Sequence, residues 1–360
     1  MLNVQLCRLR QNRLLNVISR QNLAGALITQ RDHVYYFTGY RSHWNHAPAM
    51  FIDARGHVTL SGNNVNPKTT AADEILNYPA QKHSTMPPDQ AWHSAEMLSR
   101  AIQIEGRAGF DGEGRAAFLR LIPEPVDLTR HILRLRKRKD PDEIECIKAA
   151  IAISDVMYEM ARNVVQPGVT ELEAYTHIRS AAIRAAGQEL EHFGNDFRAN
   201  AGGGSPRNRA MEFGELYVLD AGPSLYGYHA DNCRTFAVNR QPTDLQYTAW
   251  QKLVACLSML EMNIRPGVSG TQLYEMARVF LQDAGHSGLC HHLGHGIGLQ
   301  PHESPQLNPE FPEAMLEVGD VFTMEPGLYS DALAGGIRLE QNYLVLENGF
   351  ERLTSYPLDL

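Results

Sequence analysis

Asp220 follows the apolar run Tyr217-Val218-Leu219, and Asp231 comes eleven residues later, shortly before Cys233-Arg234-Thr235-Phe236. Between them, Gly222-Pro223-Ser224-Leu225-Tyr226-Gly227 carries turn chemistry. A strand ending at Asp220 and folding back as a hairpin would bring the two carboxylates together. Farther on, residues 291–302 hold four histidines (His291, His292, His295, His302) threaded by three glycines. Glycines on both sides of His295 let backbone approach a bound ion or substrate closely.

Two glutamates complete the set. Glu325 ends the run Phe322-Thr323-Met324 ahead of Pro326-Gly327, and Glu340 lies inside the apolar run Ile337 to Leu346. Carboxylates directed into apolar strands are costly unless a cation compensates them. Pairing one of them with Arg338 would leave the other glutamate and both aspartates uncompensated. Asp220, Asp231, His295, Glu325 and Glu340 thus offer four carboxylates and one imidazole, a set that nearly neutralises two divalent cations. Such oxygen-rich ligation suits Mn(II) first, then Co(II), Fe(II) or Zn(II), and disfavours copper or a thiolate zinc site. Two ions about 3.5–4 Å apart can share a water, lower its pKa and present hydroxide as a nucleophile.

The elements that must position these groups fall into two regions. Up to about residue 120, helix and strand patterns alternate, which points to an α/β unit. Residues 5–21 form an amphipathic helix and Ala24–Thr29 a buried strand; Val34-Tyr35-Tyr36-Phe37 follows, stopped by Thr38-Gly39-Tyr40. Ala49–Ile52 and Val58–Leu60 flank Asp53-Ala54-Arg55-Gly56 as a hairpin, and a helix at Ser94–Glu105 precedes a short strand at Ala108–Phe110. A boundary falls near residues 133–142, where charge rises and Asp140-Pro141-Asp142-Glu143 reads as a helix N-terminus. Helices at 141–165, from Thr170-Glu171, at Gln246–Asn263 and at Gly270–Ala284 follow, with a loop at 200–208 and strands and turns at the end.

Composition limits the partners. With 43% hydrophobic and 21% charged residues in 360, the chain can bury a substantial core without disulfides. The net charge of -8, and acids directly after the basic run Arg134–Lys139, argue against nucleic acid and for a solvated linker. Five scattered cysteines without a C-x-x-C pair suggest free thiols in a reducing compartment. No run of about 18 apolar residues marks a membrane span. The charged first residues lack a signal-peptide core, so a cytoplasmic location is expected.

The motifs as a set resemble the pita-bread metallopeptidases: Xaa-Pro dipeptidase (prolidase), aminopeptidase P, methionine aminopeptidase and the metal-free relative creatinase. Arg31 to Tyr40 is similar to a creatinase-type N-terminal domain. Leu219-Asp220-Ala221-Gly222, Asp231 with Arg234-Thr235, Gly294-His295-Gly296-Ile297-Gly298-Leu299, His302-Glu303, Met324-Glu325-Pro326-Gly327 and Arg338-Leu339-Glu340 are similar to the catalytic domain. The resemblance implies an α/β N-terminal domain over 1–132 and an α+β pita-bread catalytic domain over 133–360. It implies hydrolysis of a peptide bond adjacent to proline in a small peptide. Chain length and the N-terminal domain favour the prolidase and aminopeptidase P branch. A homodimer is implied, with Trp44 as a candidate contact.

Carried over by position, Asp220, Asp231, His295, Glu325 and Glu340 hold two metals, with Asp231 and Glu340 bridging them. Glu325 is also the base, and His302 stabilises the oxyanion near the scissile carbonyl. His291 lines the pocket, Arg338 and Tyr329 support the bridging site or contact substrate, and Tyr228 backs the site from behind. One position departs. Active peptidases of this family carry another His in a loop before the first Asp ligand. Here Gly202-Gly203-Gly204-Ser205-Pro206-Arg207-Asn208-Arg209 has none, and His192 lies far back. Arg207 or Asn208 would then take over a binding role, and an Arg would suit a carboxylate-bearing substrate. Two other readings stay open: a non-peptidase hydrolase or lyase acting on a small metabolite, and a non-catalytic binding module. Five intact ligand positions argue against the module.

Overall fold

A computed structural model describes residues 1–63, 69–82, 87–112, 116–282 and 288–360. The chain divides into two units, Met1–Arg136 and Lys137–Leu360.

The first unit begins with α1 (Val4–Arg20), capped by the Asn3 side chain, and β1 (Gly25–Ile28). Val34–Phe37 then lies inside a helix, α2 (Arg31–Thr38), which Gly39 ends at φ 72°. Its aromatic side chains are buried on nearly every side, so no polar stripe advertised the helical period. β2 (Ala49–Asp53) and β3 (Val58–Gly62) form the expected hairpin, with Ile52 opposite Val58. β4 (Glu74–Asn77), α3 (Pro87–Ala101), β5 (Arg107–Phe110), α4 (Ala116–Leu119), β6 (Glu124–Asp127) and α5 (Thr129–Lys137) complete the run. The six strands form one mixed sheet in the order β4-β3-β2-β1-β5-β6. Leu27, Phe51, Leu98 and Phe118 form part of an apolar core in this unit.

The second unit opens with α6 (Pro141–Val164). Asp140 and Glu143 form a capping box, in which the Asp140 amide donates to Glu143 Oε2 at 2.8 Å. Thr170 and Glu173 repeat the device ahead of α7 (Glu171–Ala186). β7 (Phe193–Ala199), β8 (Leu216–Leu225), β9 (Tyr228–His229) and β10 (Asn232–Ala237) follow, with β10-β8-β7 as a sheet and β9 paired to β8. α8 (Asp244–Glu261) and α9 (Gly270–Leu281) form the next helix pair. Ala284, the expected end of the second helix, lies outside the described residues. Then come β11 (Gly294–Gly296), β12 (Glu303–Leu307), β13 (Val321–Met324), β14 (Gly327–Ser330), β15 (Gly335–Arg338), β16 (Gln341–Leu346) and β17 (Gly349–Arg352). Five of them form a sheet in the order β12-β11-β13-β16-β17, and β14 pairs with β15. Each half of this unit is thus a helix pair followed by a sheet.

Arg234 joins the two halves. It is fully buried, and its guanidinium donates to carbonyls of Cys233 and Glu340 at 2.8 and 2.7 Å and of Pro357 and Tyr356 at 2.8 Å. Among the described residues, no helix is long and apolar enough to cross a membrane.

Candidate metal centre

The structure revises two local expectations before the site is assembled. Asp220 does not end its strand. β8 runs through it to Leu225, and the reversal comes at Tyr226-Gly227, where φ is 54° and 80°. Cys233 stands opposite Asp220 in the ladder, and Asp231 precedes β10. Glu340 lies in no strand: it sits in the break between β15 and β16, and its amide donates to Cys233 O at 3.1 Å. A single extended run read from sequence is two strands of different sheets, and the break aims Glu340 inward.

A cavity of about 270 Å³ lies where the two halves of the second unit meet. It is lined by Asn195, Asp196, Asp220, Asp231, His291, His292, His295, His302, Glu325, Arg338 and Glu340. The first half contributes Asp220 and Asp231, and the second half His295, Glu325 and Glu340. All five are buried. Ligand atoms of Asp231, His295 and Glu340 lie within 4.8 Å of one another. His295 Nε2 is 3.7 Å from Asp231 Oδ2 and 3.5 Å from Glu325 Oε1.

The glycines around His295 serve the sheet. A methyl group on Gly294 would collide with the Thr323 carbonyl, and one on Gly296 with the Ser304 carbonyl. A methyl group on Gly298 would meet the Glu303 carboxylate. They allow neighbouring strands to close on the segment and do not face the cavity with open backbone.

Arg338 pairs with aspartates more closely than with a glutamate. Its Nη2 is 2.8 Å from Asp220 Oδ2 and also bonds Asp196, whereas Nε is 3.9 Å from Glu325 Oε2. Asp196 also accepts from the Gly204 amide at 2.5 Å. Gly203, at φ 146°, has no side chain to collide with that carboxylate. The glycine loop that lacks a histidine therefore wraps Asp196.

Even so, the carboxylates exceed the cations. Five carboxylates and one guanidinium line the cavity, an excess equal to the charge of two divalent ions. Asp220 Oδ1 and Glu340 Oε2 are buried with no hydrogen-bond partner. Burial pushes Asp231 well above the ordinary carboxylate range, reinforced by the charges of Glu340, Asp220 and Glu325. Burial and the charges of Glu325 and Asp220 do the same to Glu340. Burial also raises Asp220, against the pull of Arg338. Glu325 behaves differently. Burial would raise it, but the His292 hydrogen bond and the charges of His295, His292 and Arg338 hold it at about 2. Orphaned buried oxygens among mutually repelling carboxylates fit a divalent metal group.

The imidazoles occupy the other side. Burial lowers His295 to about 4 and also lowers His291 and His302. His302 stacks on His295 with ring centroids 3.7 Å apart at 12°. His291 Nδ1 faces the His292 carbonyl at 2.7 Å, so Nδ1 carries the hydrogen. In the neutral ring Nε2 is then an acceptor for the Tyr329 hydroxyl at 2.8 Å. Both nitrogens of His291 are thus engaged within the protein, and the ring meets the cavity through its carbon edge and face. Tyr329 also receives Arg338 Nη1 at 3.4 Å. Its ring fits a slot in which a methyl on Gly202, Gly327 or Gly336 would collide with it.

Three candidates are not in the cavity lining: Tyr329, which touches it through His291 and Arg338, and Tyr228 and Arg207, which have other partners. Tyr228 is buried and donates to Glu143 Oε1 at 2.9 Å, tying β9 to the start of α6. Arg207 turns to Glu171, with Nη2 2.6 Å from Oε1 and 2.7 Å from the Ala199 carbonyl. A buried carboxylate at the start of α7 thus holds the Arg207 guanidinium, and Arg207 is not among the residues that line the cavity. Asp196, Asn195 and His292 line the cavity without having been singled out. His292 was legible as part of the histidine run, and its Nε2 bonds Glu325 Oε1 at 2.9 Å. Asp196 carries no sequence signal, because nothing in Gly194-Asn195-Asp196-Phe197 marks which residue faces Arg338.

Comparison with known proteins fits this geometry. A family model described as metallopeptidase family M24 matches residues 145–347, and one described as the creatinase/prolidase N-terminal domain matches residues 10–137. An uncharacterized peptidase of Staphylococcus epidermidis is 28% identical over 94% of this chain and 97% of its own. An uncharacterized peptidase of Bacillus subtilis is 26% identical over 98% and 99%. Among solved structures, a Xaa-Pro dipeptidase from Bacillus anthracis has a TM-score of 0.83 at 22% identity, covering 98% of this chain and 99% of that one. A prolidase from Pyrococcus horikoshii has a TM-score of 0.80 at 22% identity, with the same coverage.

Proposed function

Because the chain belongs to metallopeptidase family M24, with the pita-bread fold in its second unit, we propose that it hydrolyses a peptide bond adjacent to proline with the aid of two divalent cations. Asp220, Asp231, His295, Glu325 and Glu340 are the residues that would hold them, with Mn(II) the best match to four carboxylates and one imidazole. When bound, such ions supply Lewis acidity and make water a nucleophile near neutral pH.

The protein's own groups divide the remaining work. Glu325, held ionised by His292, His295 and Arg338, accepts a proton from the attacking water and passes it toward the leaving amine. His302 stays neutral as its pKa falls, and its N–H donates to the carbonyl oxygen as negative charge develops there. His291, with both nitrogens engaged, gives the cavity a flat wall suited to a pyrrolidine ring. Arg338, clamped between Asp196 and Asp220, fixes Asp220 in place.

The orphaned oxygens of Asp220 and Glu340 at the meeting of two sheets carry this reading. Preference for proline draws support from the structural neighbours named as prolidase and Xaa-Pro dipeptidase. The test is turnover of Ala-Pro and of longer Xaa-Pro peptides by Mn(II)-loaded protein, with bound metal measured in parallel. Release of proline or of the N-terminal residue is the expected outcome. Two bound ions without turnover on any Xaa-Pro peptide would move the substrate to another C–N bond. No bound ion after loading would overturn the hydrolase reading itself.

A further inference from the structure

We propose that Lys139 and Glu303 are positioning residues for His302: their buried ion pair sets the turn that lays the His302 ring on His295, where its N–H can meet a carbonyl oxygen. The other imidazoles of the cavity each have a hydrogen-bonded nitrogen, His291 with Tyr329, His292 with Glu325 and His295 with the Gly296 carbonyl. Among the described residues, the His302 ring is held by contact alone, stacked on His295 and edge-on to His292 with centroids 3.7 and 5.9 Å away. Stacking opposes tilting but leaves a ring free to slide, and His302 is exposed. Its place is therefore set by its backbone.

The next residue fixes that backbone. Glu303 begins β12, and neighbouring side chains along an extended chain point to opposite sides. Anchoring Glu303 on one side therefore aims His302 to the other. The Glu303 carboxylate is buried and engaged at both oxygens. Oε1 accepts from the Gln300 amide at 3.0 Å, closing the turn that carries His302, and Oε2 accepts from Lys139 Nζ at 3.2 Å. A side chain at Gly298 would collide with the carboxylate. Lys139, just ahead of α6, is anchored in turn. Its side chain is fully buried, its amide donates to the Gly319 carbonyl at 2.9 Å, and Arg138 bridges to Asp320. Apolar side chains of similar volume would hold these elements together at least as well, because burying two charges costs much of what their attraction returns. What the ion pair adds is direction: it fixes the carboxylate and, with it, the peptide between His302 and Glu303. Neither Lys139 nor Glu303 lines the cavity, so both act through His302.

The task given to His302 rests on the proposed hydrolytic reading, but the placement of its ring does not, so one arm of the test reads the ring alone. Full-length metal-free protein with isotope-labelled histidine is followed by NMR, and the His302 ring signal is identified by its loss in His302→Gln. Stacking on His295 should displace that signal to high field. Two variants are compared: Glu303→Gln, and Lys139→Met with Glu303→Gln, which leaves no buried charge alone. In both, the His302 signal should move to the position of a solvated histidine while that of His291 stays. An unmoved His302 signal in a folded variant would overturn the proposal. So would an equal shift of His291, or loss of the fold in both variants, since the pair would then serve stability alone. The second arm is turnover of Ala-Pro by Mn(II)-loaded protein. Glu303→Gln should lower kcat about 10–100-fold with KM and bound metal unchanged, and should lower it no further in a His302→Gln background. A full further loss there would count against His302 as the residue being positioned. Wild-type protein without turnover would sink the hydrolytic reading and leave the first arm to decide this one.

Discussion

The cavity has two faces built from opposite materials. On one, Asp220, Asp231 and Glu340 crowd together, and each carboxyl is pushed up by burial and by its neighbours' charges. On the other, His291 finds protein partners for both nitrogens, His292 bonds Glu325, and His302 lies flat on His295. The imidazole face is content without an ion; the carboxylate face is not. Fold stability and metal affinity therefore oppose each other on the first face, whereas hydrogen bonds and stacking already hold the rings of the second.

Breaking the carboxylate face should have the largest effect. Asp231→Ala is expected to remove bound metal and peptidase activity together, checked by elemental analysis beside turnover. Retention of either one would dissolve the contrast. On the imidazole face, His302→Gln should lower kcat by about 10²–10³-fold, the usual cost of one oxyanion donor, while metal content holds. Tyr329→Phe removes the hydroxyl between Arg338 and His291. A loss of about 10–100-fold in kcat/KM is expected, as for other partners of site residues, again with metal retained.

A smaller effect separates the faces by pH. Glu340 titrates well above its unfolded value of 4.5, so its protonated form favours folding, and that contribution fades as pH rises. Glu340→Gln should therefore raise the melting temperature of the metal-free protein by a few degrees (roughly 2–4 °C per kcal/mol). The gain should widen as pH climbs above 4.5 and turn into a loss of metal affinity once ions are added. His295 has the opposite sign. Its pKa drops from 6.5 unfolded to about 4 folded, so its contribution is present above 6.5 and is lost as pH falls toward 4. Thermal melts of the metal-free wild-type and Glu340→Gln proteins, and of His295→Gln beside them, across that range check the two signs. The smallest change belongs to Arg207→Ala, expected to alter kcat/KM by no more than about twofold, as for substitutions away from a site.

Local signals in the sequence read well where chemistry and geometry are local. Asp140 and Thr170 announced their helices because a capping residue and its partner stand three positions apart in any chain. The Asp53–Gly56 hairpin was legible for a similar reason: Asp53 Oδ1 accepts from the Arg55 and His57 amides within the turn. Reading failed where an apolar run had no period to declare itself. Val34–Phe37 is buried all round, and Ile337–Leu346 hides the break that turns Glu340 inward.

By itself, the sequence determined which residue types are candidates to hold divalent ions, because four carboxylates and a histidine lie in or beside apolar runs, where uncompensated charge is costly. Only the tertiary structure decided which groups face one another. Arg338 chose Asp220 and Asp196 over the glutamates, Arg207 turned to Glu171, and His291 spent both nitrogens on protein partners. Those choices depend on where two sheets meet. Distance in space governs an ion pair or a hydrogen bond, and spacing along the chain does not encode it.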